Sequence, residues 1–103
     1  MDKYLAIIIC NKGYSTDVIT VARNHGAKGG TVLDGRGTAN DQDMMFFQKY
    51  IQREKEVIFI VLDKSNKDDI VNTIDKELGP KTDAHALSVV LNVESLSGFQ
   101  NLM

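Results

Sequence analysis

Two stretches of this chain, KYLAIIIC at residues 3–10 and EVIFIVL at residues 56–62, are apolar at nearly every position. Successive side chains of a β-strand point to opposite faces, so a strand that is apolar throughout needs cover on both sides. With 103 residues the chain has length for one domain and one modest core. Whatever surrounds these runs must therefore cover one face from within the chain and the other from elsewhere.

The segments between them read as helices and further strands. Val18, Val21, Ala22 and His25 recur at the spacing of one helix face, with Ser15 or Thr16 as the expected N-cap and Gly26 as the stop. On this reading His25 lies on the inward stripe. Thr31 to Leu33 begin a second strand, and residues 56–62 form a third. Ile70, Val71, Ile74 and Leu78 make the apolar stripe of a second helix. Ser65 and Asp68 have the spacing of a capping box at its start, and Gly79-Pro80 ends it. ALSVVLNV, residues 86–93, is a fourth strand.

The order β-α-β, β-α-β predicts an α+β, ferredoxin-like βαββαβ sandwich, with two helices on one face of a four-stranded antiparallel sheet. No segment remains to cover the other face. A second copy of the same sheet is the expected cover, which makes the chain an obligate homo-oligomer.

Composition narrows the function. Charged residues make up 25% of the chain, hydrophobic residues 43%, and the net charge is −2, values of an ordinary soluble domain and not of an electrostatic nucleic-acid binder. Cys10 is the single cysteine and sits in an apolar run, as expected of a buried structural thiol in a reducing compartment. No stretch reaches the length of a membrane span, and the N-terminus shows no signal-peptide pattern. The expected location is the cytoplasm. One cysteine and two histidines without ligand-like spacing predict no metal site. Lys64, Lys67, Asp68 and Asp69 read as a solvated helix start. No base, nucleophile and orienting group are gathered in one place, so catalysis is not expected.

GAKGGTVLDGRGTA, residues 26–39, is the glycine-rich part of the chain. Gly30 and Gly35 have the outer spacing of a P-loop, but Arg36-Gly37 stands where Lys and Ser or Thr are required. Gly35-x-Gly37 leads from a strand into a loop and lacks the third glycine of a dinucleotide fingerprint. Two readings stay open on spacing alone. The glycines serve turns and a bulge, or their amides form an anion-binding nest.

Together with the long loop that follows, REKEVIFIVL and ALSVVLNVESLSG, the Gly-Gly-Thr-Val-Leu-x-x-Arg-Gly-Thr run resembles the PII-type nitrogen-regulatory signal proteins, and more closely their PII-like relatives. That resemblance spans nearly the whole chain, as one PII-like domain over residues 1–103. It implies a cytoplasmic homotrimer, adenine nucleotides (ATP, ADP or AMP) as regulatory ligands in clefts between subunits, and no cofactor. It also implies a mobile T-loop, about residues 38–53, that docks on a regulated protein such as a membrane transporter. Carried over by position, Gly35, Arg36, Gly37 and Thr38 occupy the nucleotide-contacting base of the T-loop, and Lys55 stands where a family lysine reaches phosphate. The family's second phosphate loop reads Gly79-Pro80-Lys81-Thr82-Asp83-Ala84-His85 here, which leaves Lys81 as its phosphate ligand beside a repelling Asp83. Tyr50 and Gln42 do not match the family's modified tyrosine or its effector-binding glutamine. Asp43, Met44, Met45, Phe46 and Phe47 form the expected partner-binding patch, with packing on the protein's own sheet as the other reading. The tail, residues 94–103, is expected to cover a neighbouring subunit, with fraying as the other reading. The alternative is a structural trimer of the CutA type without nucleotide sensing.

Overall fold

A computed structural model of the chain describes residues 2–38 and 52–98. The elements run β1 (Lys3–Asn11), α1 (Ser15–Asn24), β2 (Thr31–Arg36), β3 (Glu54–Asp63), α2 (Lys67–Leu78) and β4 (Leu87–Asn92). The four strands form one sheet in the order β2-β3-β1-β4, and each neighbouring pair is antiparallel. This is the ferredoxin-like arrangement expected from the sequence.

Pairing extends two of the strands beyond their apolar runs. Gly35 stands opposite Lys55 and Arg36 opposite Glu54, so β2 continues past Leu33 and β3 begins ahead of residue 56. Ala6, Ile8, Cys10, Ile58, Ile60 and Leu62 form the helix side of the central strands, and all are buried against Val18, Ala22, Ile70 and Ile74. Burial pushes the Cys10 thiol up to about 11, with Glu56 adding to the shift, so this cysteine is the inert core residue expected.

The other side of the sheet holds Leu5, Ile7 and Ile9 of β1, opposite Val61, Phe59 and Val57 of β3 and Leu91, Val89 and Leu87 of β4. No helix lies on this face among the described residues. Leu33, Leu87, Val89 and Leu91 are about half exposed, at 50%, 47%, 51% and 47%. A three-by-three apolar grid open to water is a surface that calls for a partner.

Both helix starts differ from the expected caps. Ser15 is the first residue of α1, Tyr14 holds the cap position, and no side chain of the cap residue bonds the helix. The first donor of the helix is met from across the fold instead: Glu56 Oε1 accepts from Ser15 N at 3.3 Å, and from Gly13 N in the preceding turn at 2.7 Å. The Ser65–Asp68 capping box does not form either. The second helix starts at Lys67 after Asn66, whose Oδ1 accepts from Asp63 N at 3.0 Å and closes the preceding turn.

The stop at Gly26 is as read. Gly26 has φ +107, Ala27 N donates to Ala22 O and Gly26 N to Arg23 O, the bonds of a Schellman ending. His25 is not on the inward stripe, because the helix ends at Asn24 and the chain turns there. Its Nδ1 lies 2.6 Å from Asp69 Oδ2, tying the end of the first helix to the first turn of the second. The helix start is also less bare than expected, since Lys67 Nζ sits 4.4 Å over the Tyr4 ring.

Candidate functional site

Lys55, the second residue of β3, lies across from Gly35 on one side and Asn11 on the other. Strand alternation directs it to the same side as Val57 and Phe59, at the rim of the open apolar face. Glu54 and Glu56 point the other way, and Glu56 is occupied at the first helix. Burial opposes the charge of Glu56, but the hydrogen bonds from Gly13 and Ser15 outweigh it and hold the carboxyl below its ordinary value.

Gly37 lies over the Lys55 stem. A Cβ there would stand 3.0 Å from Lys55 Cε, closer than a methyl and a methylene comfortably pack, and in ordinary contact with Cγ at 3.5 Å. Glycine therefore leaves the lysine its path, and Gly37 N donates to Arg53 O at 2.7 Å to close the loop base. Lys55 Nζ reaches Asn11 Oδ1 at 2.7 Å. Desolvation lowers the lysine from its ordinary value near 10.5.

Asn11 ends the first strand and is fully buried. Its Oδ1 also accepts from Gln52 N at 3.3 Å, its Nδ2 donates to Asp83 O at 2.9 Å, and its own backbone N donates to Ala84 O at 2.8 Å. One side chain thus joins the residues flanking the long loop to the turn between α2 and β4. Sequence reading passed over it. The available signal was a polar residue at the end of an otherwise apolar strand.

The turn itself is tightly built. Thr82 N and Oγ1 both donate to Gly79 O, at 3.0 and 2.8 Å, and Ala86 N donates to Leu78 O at 2.8 Å. His85 takes φ +47, a left-handed conformation uncommon for a side-chain-bearing residue, and its Nδ1 donates to Pro80 O at 2.7 Å. Gly79 is required for space, since a Cβ there would fall 2.1 Å from the carbonyl oxygen of Asp75.

Of the residues singled out from sequence, the structure brings Gly35, Gly37 and Lys55 together. Lys81 is exposed in the turn that Asn11 ties to them, and Asp83 contributes its backbone carbonyl to that tie. Arg36 pairs with Glu54, and alternation sets it on the opposite side of the sheet from Lys55. Thr38 is exposed where the described part of the loop stops. Asp43, Met44, Met45, Phe46 and Phe47 lie outside the described residues, as do most of the T-loop and residues 99–103 of the tail.

A second feature, not expected from the sequence, lies toward the other end of the same face. A groove of about 360 Å³ is lined by Arg23, Lys28, Gly29, Gly30, Phe59 and Val61, among others. Among the described residues, two cations stand on its wall and no carboxylate does. Gly30 passes so close to β3 that a Cβ would meet Phe59 O at 2.9 Å. Among the described residues, no group of three His, Cys, Asp or Glu could hold a metal ion, and no helix is long and apolar enough to cross a membrane.

The fold is that of the PII proteins. Arabidopsis thaliana PII bound to citrate matches with a TM-score of 0.64 at 24% identity, over 89% of this chain and 75% of that one. A PII-like signaling protein from Thermus thermophilus matches at 0.63 and 19%, over 90% of each chain. The B. subtilis GlnK–ATP complex matches at 0.62 and 16%, over 88% of this chain and 81% of that one. No protein-family model and no curated protein sequence matches the chain.

Proposed function

We propose that the chain is a PII-like signal protein: a homotrimer that takes an adenine nucleotide or a related anion between its subunits and reports it to a protein partner through residues 38–53. The observation that carries this reading is the position of Lys55 and the Gly35–Gly37 backbone at the rim of an apolar face that no element of the described chain covers. A copy laid on that face would bury the grid of Leu, Ile, Val and Phe side chains and wall in the lysine. The structures of similar fold support the ligand class, since one is a citrate complex and another an ATP complex.

The resemblance offers Lys55 and Lys81 as phosphate ligands of the cleft. Asn11 joins the loop base and the 79–86 turn within one subunit, and on that ground we assign both lysines to one wall. We assign the second wall to the Arg23–Lys28 groove of the neighbouring copy, a cationic surface at the far end of the same face. Phe59 and Val61 offer an apolar bed for a base or a carbon skeleton. Residues 38–53, which follow Gly37 in the chain, are the proposed contact to the regulated protein, with a membrane transporter as the candidate. The proposed role is regulatory and not catalytic, and the proposed location is the cytoplasm.

Calorimetric titration with ATP, ADP, AMP and cyclic AMP tests this. Saturable heat with one of them, at one site per subunit, is expected. No heat with any of the four, in a protein that is nevertheless trimeric, would favour the structural trimer instead.

A further inference from the structure

Lys55 is an ammonium placed beside apolar surface, and something must aim it without cancelling it. A carboxylate partner would hold it strongly and neutralise the charge that an anion needs. An aliphatic partner would leave it unpaired. A neutral amide can accept from the lysine and at the same time donate to a carbonyl on the other side, without neutralising the charge.

The structure has such an amide. We propose that Asn11 is the positioning residue of the candidate site: the 79–86 turn orients its amide through the carbonyl of Asp83, and the amide in turn sets the Lys55 ammonium toward the cleft. This rests on the anion-binding reading given above. The orientation of Asn11 follows from its partners, because Asp83 O can only accept and Lys55 Nζ and Gln52 N can only donate. An ammonium carries three N–H donors and Asn11 takes one; with no second acceptor on Lys55 Nζ among the described residues, the other two are assigned to ligand oxygens. Gly37 over the lysine stem and full burial of the amide restrict the alternatives for both side chains. The turn is itself held by Thr82, His85 and Ala86, so its rigidity is passed to the lysine through one residue.

Two measurements on the full chain test this, one without ligand. In the free protein, ¹³Cε NMR of Lys55 follows its titration. Asn11→Asp places a carboxylate beside the ammonium and should raise the midpoint by about one unit or more. An unchanged midpoint would show that the two side chains do not touch and would overturn the proposal. In the second measurement ATP is titrated calorimetrically into the wild type, Asn11→Asp, Asn11→Ala, Lys55→Ala and the corresponding double variants. Each Asn11 substitution should weaken ATP binding about tenfold or more, and neither should add a further loss in the Lys55→Ala background. A loss that persists in full without Lys55 would assign Asn11 a general structural role and sink the proposal. Asn11→Ala serves if the buried aspartate prevents folding. If the wild type binds none of ATP, ADP, AMP and cyclic AMP, the functional reading fails by itself, and the Lys55 titration decides the Asn11 contact alone.

Discussion

The two faces of this sheet are built from the same kinds of residue and have opposite fates. Ile8 and Ile58 are fully buried under the helices, while Leu87, Val89 and Leu91 on the other side stay about half exposed. Alternate residues of one strand feed the two faces, so the difference lies not in composition but in what the chain has available to lay on top. Two amphipathic helices cover one face, and the described chain has no third. A sequence that writes both faces as core is therefore specifying an interface in the same terms as a core.

That comparison predicts different failures on the two faces. On the helix side, Ile8→Ala should cost about 2–5 kcal/mol of unfolding free energy, read by denaturant titration, because the cavity cannot collapse between strand and helices. On the open side, Val89→Lys should leave the subunit folded by circular dichroism and break the assembly instead. Equal loss of fold from both substitutions would erase the distinction between the faces.

At the rim, Lys55→Ala should weaken binding of the adenine nucleotide by about 10- to 150-fold in calorimetry, the worth of one hydrogen bond to a charged group, with the trimer intact. Unchanged affinity would remove this rim from the account. Its neighbour Glu56, one residue on and facing the helices, should show no ligand effect. Glu56→Gln should lower stability by about 1 kcal/mol, the difference between a charged and a neutral acceptor for Gly13 and Ser15. The pH dependence follows from the depressed carboxyl. Its contribution is complete above the ordinary value near 4.5 and is lost as pH falls through the lower folded value, so the gap between wild type and variant should close in acid. A gap that persists under those conditions would mean that the charge is not what holds the first helix.

Much of this was legible in the sequence, and the parts that were not share a cause. Periodicity located all four strands and both helices, because burial of a face leaves a local signal in the chain. The expectation of a missing cover came from the same signal. The caps were misread because their partners are remote: Glu56 lies 43 residues from Gly13, and nothing near Ser15 or Thr16 announces it. His25 was misplaced for the same reason, since its partner is Asp69, 44 residues on. In the site, the glycines and Lys55 could be picked out by type and by resemblance. Asn11 could not, because its role depends on the register of the first strand against the third and on a turn 72 residues away.

The most direct test of the account is the mass of the wild-type protein in solution. Sedimentation equilibrium at micromolar concentration should give three times the 11.4 kDa of one chain, because no described element covers the apolar grid on the open face and its cover is assigned to another copy. A mass of 11.4 kDa at every concentration would contradict it, leaving the open face bare and the proposed cleft without its second wall.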